Sequence, residues 1–196
     1  MTDRTAAVAE LEAGRAIVLP TDTVYGVGVM PGVPGAIEGL FGIKQRSREK
    51  PIPVLASSLP ALSGIVSFTQ PALRLADRFW PGPLTLVLPR APGFTARLSD
   101  PDSETVAVRV PRHPVAADVL GLTGPLAVTS ANLSGQEPAT SVAEARAALG
   151  AEVRVFVDGG VCAGTPSTIV SCESGVTILR EGAITSAEIE EELSRR

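Results

Sequence analysis

Short apolar runs alternate with segments of helical period along the whole chain. β-Strands are predicted at 16–19, 51–56, 84–88, 106–110, 126–128 and 153–157, with a final pair at 167–170 and 176–179. Helices are predicted between them, at 5–13, 36–44, 69–79, 114–120 and 141–149, with one more after Thr185. The run at 16–19 is apolar throughout, which is typical of a strand covered on both faces. The pattern therefore predicts one α/β domain over residues 1–196, with a mostly covered, mixed sheet.

Hydroxyl side chains mark the starts of three of these helices. Thr69 precedes the third helix as a capping residue. Ser141 with Glu144, and Thr185 with Glu188, have the spacing of a capping box. These pairs fix where the last two helices begin.

Composition narrows the class of function. The chain has 196 residues and a net charge of −4, so an anionic ligand or RNA would have to bind a local basic patch. His113 is the only histidine, which argues against a zinc site and a Ser-His-Asp triad. Cys162 and Cys172 are ten residues apart, and we expect free thiols in a reducing cytoplasm.

Targeting signals are not evident in the sequence. Residues 1–4 have no apolar segment behind them, so a signal peptide is not predicted. No apolar run approaches the roughly 20 residues of a membrane span. We therefore expect a cytoplasmic protein without a membrane partner.

Polar side chains cluster at the ends of three predicted strands. The segment 21–28 is predicted as a polar turn after the first strand, at a place where α/β proteins bind ligands. The other two clusters are at 129–135 and 167–168. The candidate site residues among their hydroxyl and amide side chains are Thr21, Thr23, Thr129, Ser130, Asn132, Ser134 and Ser167. Such residues either bind ligand oxygens or satisfy the backbone of a turn, and the pattern leaves both open.

Cations are concentrated next to these clusters. Both lysines of the chain, Lys44 and Lys50, lie with Arg46 and Arg48 in a seven-residue stretch. This stretch is either a solvated helix end or a polyphosphate site. Arg109 lies inside an apolar strand and needs a partner in a cleft or a buried ion pair. Few carboxylates lie in these clusters, so phosphoryl or nucleotidyl transfer suits them better than paired-carboxylate hydrolysis.

The ordered set of segments resembles the signature of the YrdC/Sua5 family, the threonylcarbamoyl-AMP synthases. The resemblance extends from about Ala16 to Gly182. The matching segments are Pro20 to Gly26, Lys44-Gln45-Arg46 with Lys50-Pro51, Trp80 to Thr85, Val108 to Pro111, Ser130-Ala131-Asn132 and Pro166 to Val170. The length is similar to that of the short form of the family, without a further C-terminal domain.

The resemblance implies a fold and a reaction. The fold is a single YrdC-like domain with a twisted mixed sheet flanked by helices around a large, basic, concave cavity. The reaction converts L-threonine, bicarbonate and ATP, accompanied by Mg²⁺, to threonylcarbamoyl-AMP and pyrophosphate. Partner proteins of the t6A pathway then transfer the threonylcarbamoyl group to adenosine 37 of tRNA, so tRNA is an indirect or weak partner. No protein-bound metal is expected.

The resemblance also implies residue roles. Lys44, Arg46 and Lys50 would hold the triphosphate, with Lys44 and Arg46 as catalytic residues that stabilise the leaving pyrophosphate. The remaining ATP-binding residues would be Thr129, Ser130, Asn132, Ser134 and Arg180. L-Threonine would be bound by Thr21, Thr23, Arg109 and Ser167, with Arg109 on its carboxylate. The nucleophile would be the carbamate of the substrate, and Asp22 is available as a base or as a shaper of its loop.

Two departures from the family pattern and three other functions stay open. Leu55 occupies a position where longer members can carry a histidine near the threonine, and the segment between Gly28 and Ile37 fits the pattern loosely. The alternatives are a non-catalytic module that binds RNA, a carbamoyl-adenylate enzyme like the related domain of hydrogenase-maturation proteins, and a paralogue with another substrate. Low overall basicity disfavours the RNA-binding alternative.

Overall fold

The computed structural model describes residues 4–45, 47, 49–99 and 102–195. Its helices are α1 Arg4–Glu12, α2 Ala36–Lys44, α3 Gln70–Phe79, α4 Pro114–Thr123, α5 Val142–Leu149 and α6 Ser186–Ser194, and Pro60–Leu62 forms a 3₁₀ turn. Its strands are β1 Ile17–Leu19, β2 Gly26–Val29, β3 Val54–Leu55, β4 Leu84–Pro89, β5 Thr105–Arg109, β6 Leu126–Ser130, β7 Val155–Phe156, β8 Thr168–Ser171 and β9 Thr177–Arg180. Arg46, predicted to bind ATP, lies outside the described residues.

The strands of the described residues form one sheet in the order β7-β1-β2-β6-β3-β5-β4-β8-β9. Three neighbouring pairs are parallel, namely β7 with β1, β3 with β5 and β4 with β8. The other five pairs are antiparallel. The predicted twisted mixed sheet, flanked by helices, is confirmed.

The two faces of the sheet are covered differently. Side chains of successive strand residues point to opposite faces of the sheet. On β1, Val18 packs in the larger core with α2, α3, α5 and α6. Ile17 and Leu19 pack in a smaller core with α1 and α4. Along β4 and β5, Leu86 and Val108 join the larger core, whereas Val87 and Ala107 face a cavity. The face that carries α1 and α4 is therefore helix-covered at one end of the sheet and open at the other.

The predicted helix starts agree with the observed caps. The Thr69 side chain accepts a hydrogen bond from the backbone N–H of Ala72. Thr185 and Glu188 form a complete capping box. At α5 the Ser141 hydroxyl caps the Glu144 N–H, but the Glu144 carboxylate accepts from the N–H and hydroxyl of Thr140 instead. The reciprocal half of that predicted box is therefore shifted by one residue.

Strand β2 is absent from the sequence-based prediction, which extends the polar turn to residue 28. That extension is wrong. Glycine in a strand interior weakens it, so Gly26-Val27-Gly28 indicates a turn. In the structure, a Cβ atom on Gly26 or Gly28 would lie 2.5 or 2.8 Å from a methyl carbon of Val128 on β6. The glycines therefore permit β2 to pair beside this side chain.

Two further findings concern cysteines and membranes. Cys162 and Cys172 are both free and buried. Within the described ranges, no helix is long and apolar enough to cross a membrane.

Candidate functional site

A cavity of about 370 Å³ lies on the open part of the sheet. Its floor is apolar and comes from six strands, including β3 through Leu55. The other floor side chains are Val87 on β4, Ala107 on β5, Val128 on β6, Ile169 on β8 and Leu179 on β9. An apolar floor with polar groups at one side is the usual construction of a small-molecule site.

The polar side of the cavity gathers residues that are far apart in sequence. Thr21 and Thr23 come from the loop between β1 and β2, and Arg109 and Arg180 end β5 and β9. Ser167 directly precedes β8. Two arginines therefore line a cavity whose floor is uncharged. Their positive charge favours an anionic ligand.

Arg109 is held on three sides. Its Nε donates to the carbonyl oxygen of Gly82 at 3.0 Å, and its Nη1 donates to the Thr23 hydroxyl at 3.0 Å. Its Nη2 donates to Oδ1 of Asp22 at 2.6 Å, in an ion pair whose side chains are 7% and 13% exposed. Burial lowers the pKa of Arg109, the Asp22 charge opposes that effect, and repulsion from Arg180 adds to it. The predicted alternatives, a cleft and a buried ion pair, are both present.

Ser167 links the second arginine to the sheet. The Arg180 guanidinium donates to the Ser167 carbonyl oxygen from Nη2 at 2.7 Å and from Nε at 3.2 Å. The Ser167 hydroxyl lies 2.9 Å from that of Thr85 on β4. Partial burial lowers the pKa of Arg180. Thr85 also lines the cavity, so a hydroxyl pair and a guanidinium face it together.

The third cluster is organised by Lys44 at the end of α2. This side chain is 1% exposed, and its Nζ donates to the Ser130 carbonyl oxygen at 2.6 Å. Nζ also donates to the carbonyl oxygen of Asn132 and, at 2.9 Å, to its Oδ1. The backbone N–H of Ser134 donates to the Lys44 carbonyl oxygen at 3.1 Å. The helix end and the segment 130–134 are therefore one unit.

The side chain of Asn132 forms its hydrogen bonds within and next to this unit. Its Oδ1 accepts from Lys44 and from the Ser130 hydroxyl, and its Nδ2 donates to the carbonyl oxygens of Leu133 and Gln136. Both amide hydrogens and both acceptor positions are thus engaged. In this structure Asn132 shapes the segment, and the Ser130 side chain is the one that lines the cavity.

The structure separates the predicted site residues into two groups. Those that line the cavity are Thr21, Thr23, Arg109, Thr129, Ser130, Ser167 and Arg180. Lys44 and Asn132 are buried behind its wall, whereas Lys50 and Ser134 are exposed near it. Lys50 precedes Pro51, which is part of the lining. The predicted roles of all these residues remain predictions.

Two contributors have positions in the site that the sequence alone does not predict. Thr85 ends the family-like segment Trp80 to Thr85 and alternates with Leu84 and Leu86, which places it on the opposite face of β4, but neither signal assigns it to the cavity. Asp22 is interpreted from the sequence as a base or as a shaper of its loop, and the structure pairs it with Arg109. A signal existed for this pair, because a buried arginine needs an anionic partner and Asp22 is the main carboxylate of the polar clusters.

The fold and the cavity define an α/β domain with a cavity lined by two arginines and several hydroxyl side chains. The chain belongs to the Sua5/YciO/YrdC family, whose model, described as "Telomere recombination", matches residues 9–182. A relative from Mycobacterium leprae, "Putative threonylcarbamoyl-AMP synthase", is 44% identical over 95% of this chain and 86% of its own length.

Two solved structures show how far the similarity extends. Pyrococcus abyssi Sua5, "complexed with L-threonine", has a TM-score of 0.91 and 33% identity, over 97% of this chain and 57% of its own. Escherichia coli YciO has a TM-score of 0.86 and 27% identity, over 95% of this chain and 92% of its own. The present chain therefore spans a little over half of the Pyrococcus protein and almost all of YciO.

Proposed function

We propose that this protein is an L-threonylcarbamoyl-AMP synthase, which makes threonylcarbamoyl-AMP and pyrophosphate from L-threonine, bicarbonate and ATP. The observation that carries the proposal is the polar side of the cavity, where Arg109, Thr23 and Ser167 meet in a domain similar along most of its length to proteins of that name. Its product would serve partner proteins that modify tRNA.

The proposed amino-acid subsite centres on Arg109. A guanidinium has five N–H groups. Three N–H groups of Arg109 donate hydrogen bonds to residues in the described part of the chain. The other two suit the carboxylate of L-threonine, for which paired N–H donors are the best match. Hydroxyls of Thr21, Thr23 and Ser167 supply further partners for the amino and hydroxyl groups.

The nucleotide subsite is placed between segment 129–134 and Arg180. Ser130 and Thr129 line the cavity there and offer hydroxyls to phosphate or ribose oxygens. Lys44, held by segment 130–134, sets the position of those hydroxyls and brings a buried positive charge close to them. Together with Arg46, Lys50 and Arg180 it stabilises the negative charge that grows on the leaving pyrophosphate.

Mg²⁺ enters the proposal as the ion bound to the phosphates of ATP. Within the part of the chain that the structure describes, no three His, Cys, Asp or Glu side chains are grouped to hold a metal. The carbamate nitrogen and oxygen atoms come from the substrates. The protein itself contributes orientation and charge, without a nucleophilic side chain.

The test is pyrophosphate release from ATP and Mg²⁺, measured with and without L-threonine and bicarbonate. We expect release to require both, and threonylcarbamoyl-AMP to appear in the same reaction by mass spectrometry. Arg109→Ala should remove the response to L-threonine, whereas Arg4→Ala, at an exposed ion pair on α1, should retain it. ATP binding that ignores L-threonine and bicarbonate would instead favour a paralogue with another substrate.

A further inference from the structure

The carboxylate of Asp22 joins three segments at the polar side of the cavity. Its Oδ1 accepts from Nη2 of Arg109 at 2.6 Å and from the backbone N–H of Arg112 at 3.0 Å. The Arg112 Nε in turn donates to the carbonyl oxygen of Pro81 at 2.8 Å. Asp22 thus connects the β1–β2 loop to the end of β5 and, through the two arginines, to residues 81–82.

The other oxygen of Asp22 is not accessible from the cavity. Oδ2 is buried and has no hydrogen-bond partner among the residues described. Asp22 is not part of the described cavity lining, although Thr21 and Thr23 on either side of it are. A base that deprotonates an amine must come within hydrogen-bond distance of it. A carboxylate with Oδ2 buried outside the lining and Oδ1 engaged by Arg109 does not suit that role, and its contact with the site is through Arg109.

Arg109 has little freedom once Asp22 is in place. A guanidinium is planar, so hydrogen bonds from Nε, Nη1 and Nη2 fix both its position and the direction of its two other N–H groups. Without the Asp22 charge, the planar group would keep only neutral acceptors, the Gly82 carbonyl and the Thr23 hydroxyl. Neutral hydrogen bonds are roughly half as strong as charge-assisted ones.

We propose that Asp22 is the positioning residue of the amino-acid subsite, which orients Arg109 so that a substrate carboxylate meets two N–H groups already in place. The proposal rests on the proposed function. It separates the two subsites, because Asp22 acts on the amino acid through Arg109, while the hydrogen bonds of segment 130–134 do not involve it. Loss of the charge should therefore change one Michaelis constant and spare the other.

The first experiment compares Asp22→Asn with the wild-type protein in threonine-dependent pyrophosphate release. The variant keeps the shape of the side chain and one acceptor oxygen. We expect the KM for L-threonine to rise by about tenfold, as for a weakened hydrogen bond to a charged group, with the KM for ATP within about twofold. A general distortion of the cavity would raise both constants together. That result, or an unchanged KM for L-threonine, overturns the proposal.

The second experiment is a double-mutant cycle with Arg109→Lys. Lysine keeps the charge but not the planar set of N–H groups. If Asp22 acts through Arg109, adding Asp22→Asn to Arg109→Lys raises the KM for L-threonine no further. Multiplied effects of the two substitutions contradict the proposal. Asp22→Glu retains the charge and should recover part of the affinity for L-threonine. This variant also tests the proposal if Asp22→Asn folds poorly.

The wild-type reaction separates this proposal from the proposed function. Calorimetric titration with L-threonine, alone and with ATP, measures the amino-acid subsite without turnover. Wild-type protein that is active while Asp22→Asn behaves normally refutes only the positioning role. Wild-type protein that neither turns over nor binds L-threonine or other amino acids refutes both.

Discussion

Lys44 and Asn132 are 88 residues apart in the chain, yet Nζ of the first lies 2.9 Å from Oδ1 of the second. The same ammonium also donates to the carbonyl oxygens of Ser130 and Asn132. A charge that is 1% exposed is tolerated there because each of its three hydrogens has an acceptor. This contact ties the end of α2 to the segment that follows β6.

Replacement of Lys44 should therefore affect both stability and activity. Lys44→Met keeps the length of the side chain but leaves buried oxygens without a donor. We expect the free energy of unfolding, measured in urea, to fall by about 3 kcal/mol. Pyrophosphate release should fall at least about a hundredfold, as when a preorganised donor is lost.

Lys50→Met is the matched control, since these are the two lysines of the chain and Lys50 is exposed. Its free energy of unfolding should change by less than about 0.5 kcal/mol. Equal destabilisation by both substitutions would contradict the structural role assigned to Lys44.

Gly28 on β2 offers a packing test. A Cβ atom at this position would lie 2.8 Å from a methyl carbon of Val128 and 3.1 Å from the Ala127 carbonyl oxygen. Gly28→Ala should lower the free energy of unfolding by about 1–3 kcal/mol, which is the usual cost of overpacking. In the Val128→Ala background, where the crowding methyl groups are gone, the same substitution should cost less.

Gly39 is a useful reference for the Gly28 result. It lies inside α2, and a Cβ there meets no atom within 4 Å. Gly39→Ala should raise the free energy of unfolding by up to about 1 kcal/mol, the difference in helix propensity. Destabilisation at Gly39, or no change at Gly28, would be inconsistent with the described packing.

The capping box of α6 predicts a dependence of stability on pH. Hydrogen bonds from the N–H and hydroxyl of Thr185 lower the pKa of Glu188 from its ordinary value of 4.5. A carboxyl group whose pKa is lower in the folded state stabilises that state above pH 4.5, and the contribution disappears as pH falls through the folded value. Glu144 and Glu181, whose pKa values are lowered by similar bonds, act in the same direction.

Melting temperatures between pH 7 and pH 3 test this expectation. The wild-type midpoint should decline below about pH 4.5, and Glu188→Gln should show a smaller decline from a lower starting value. Thr185→Ala should cost about 1 kcal/mol at neutral pH, as for other lost caps. A Glu188→Gln curve parallel to that of the wild type would argue against this linkage.

Cys172 should be chemically inert in the folded protein. Burial raises the pKa of its thiol to about 11, so roughly one thiol in a thousand is ionised at pH 8. Burial also raises the pKa of Cys162. We expect a thiol reagent such as dithionitrobenzoate to react slowly at pH 8 and to titrate two thiols quickly in denaturant. Rapid reaction of the native protein would show that a thiol is accessible.

The order of helices and strands could be predicted from sequence because the signals for it are local. Apolar runs and capping residues such as Thr69 and Thr185 act within a few positions. Strand β2 could not be predicted in this way. Its glycines are explained by Val128, about a hundred positions further along the chain, and that neighbour becomes visible once the sheet is assembled.

The residue types of the candidate site could be predicted from the sequence, but their hydrogen-bond partners could not. Polar residues at the ends of strands identify Thr23, Ser130 and Ser167 as candidate site residues, and the structure places all three in the lining. Hydrogen-bond partners are a different matter. Asn132 carries two donors and two acceptors that suit a phosphate and a buried loop equally well. Its actual partners are decided by how α2 meets segment 130–134.

The cavity has consequences for how the protein is made. Its lining begins at Thr21 and ends at Arg180, so residues from nearly the full length of the chain have to assemble before it exists. During synthesis the site cannot form until β9 has left the ribosome, long after β1 and β2 have emerged. Acquisition of binding should thus be a late event in biogenesis, nearly simultaneous with completion of the fold itself.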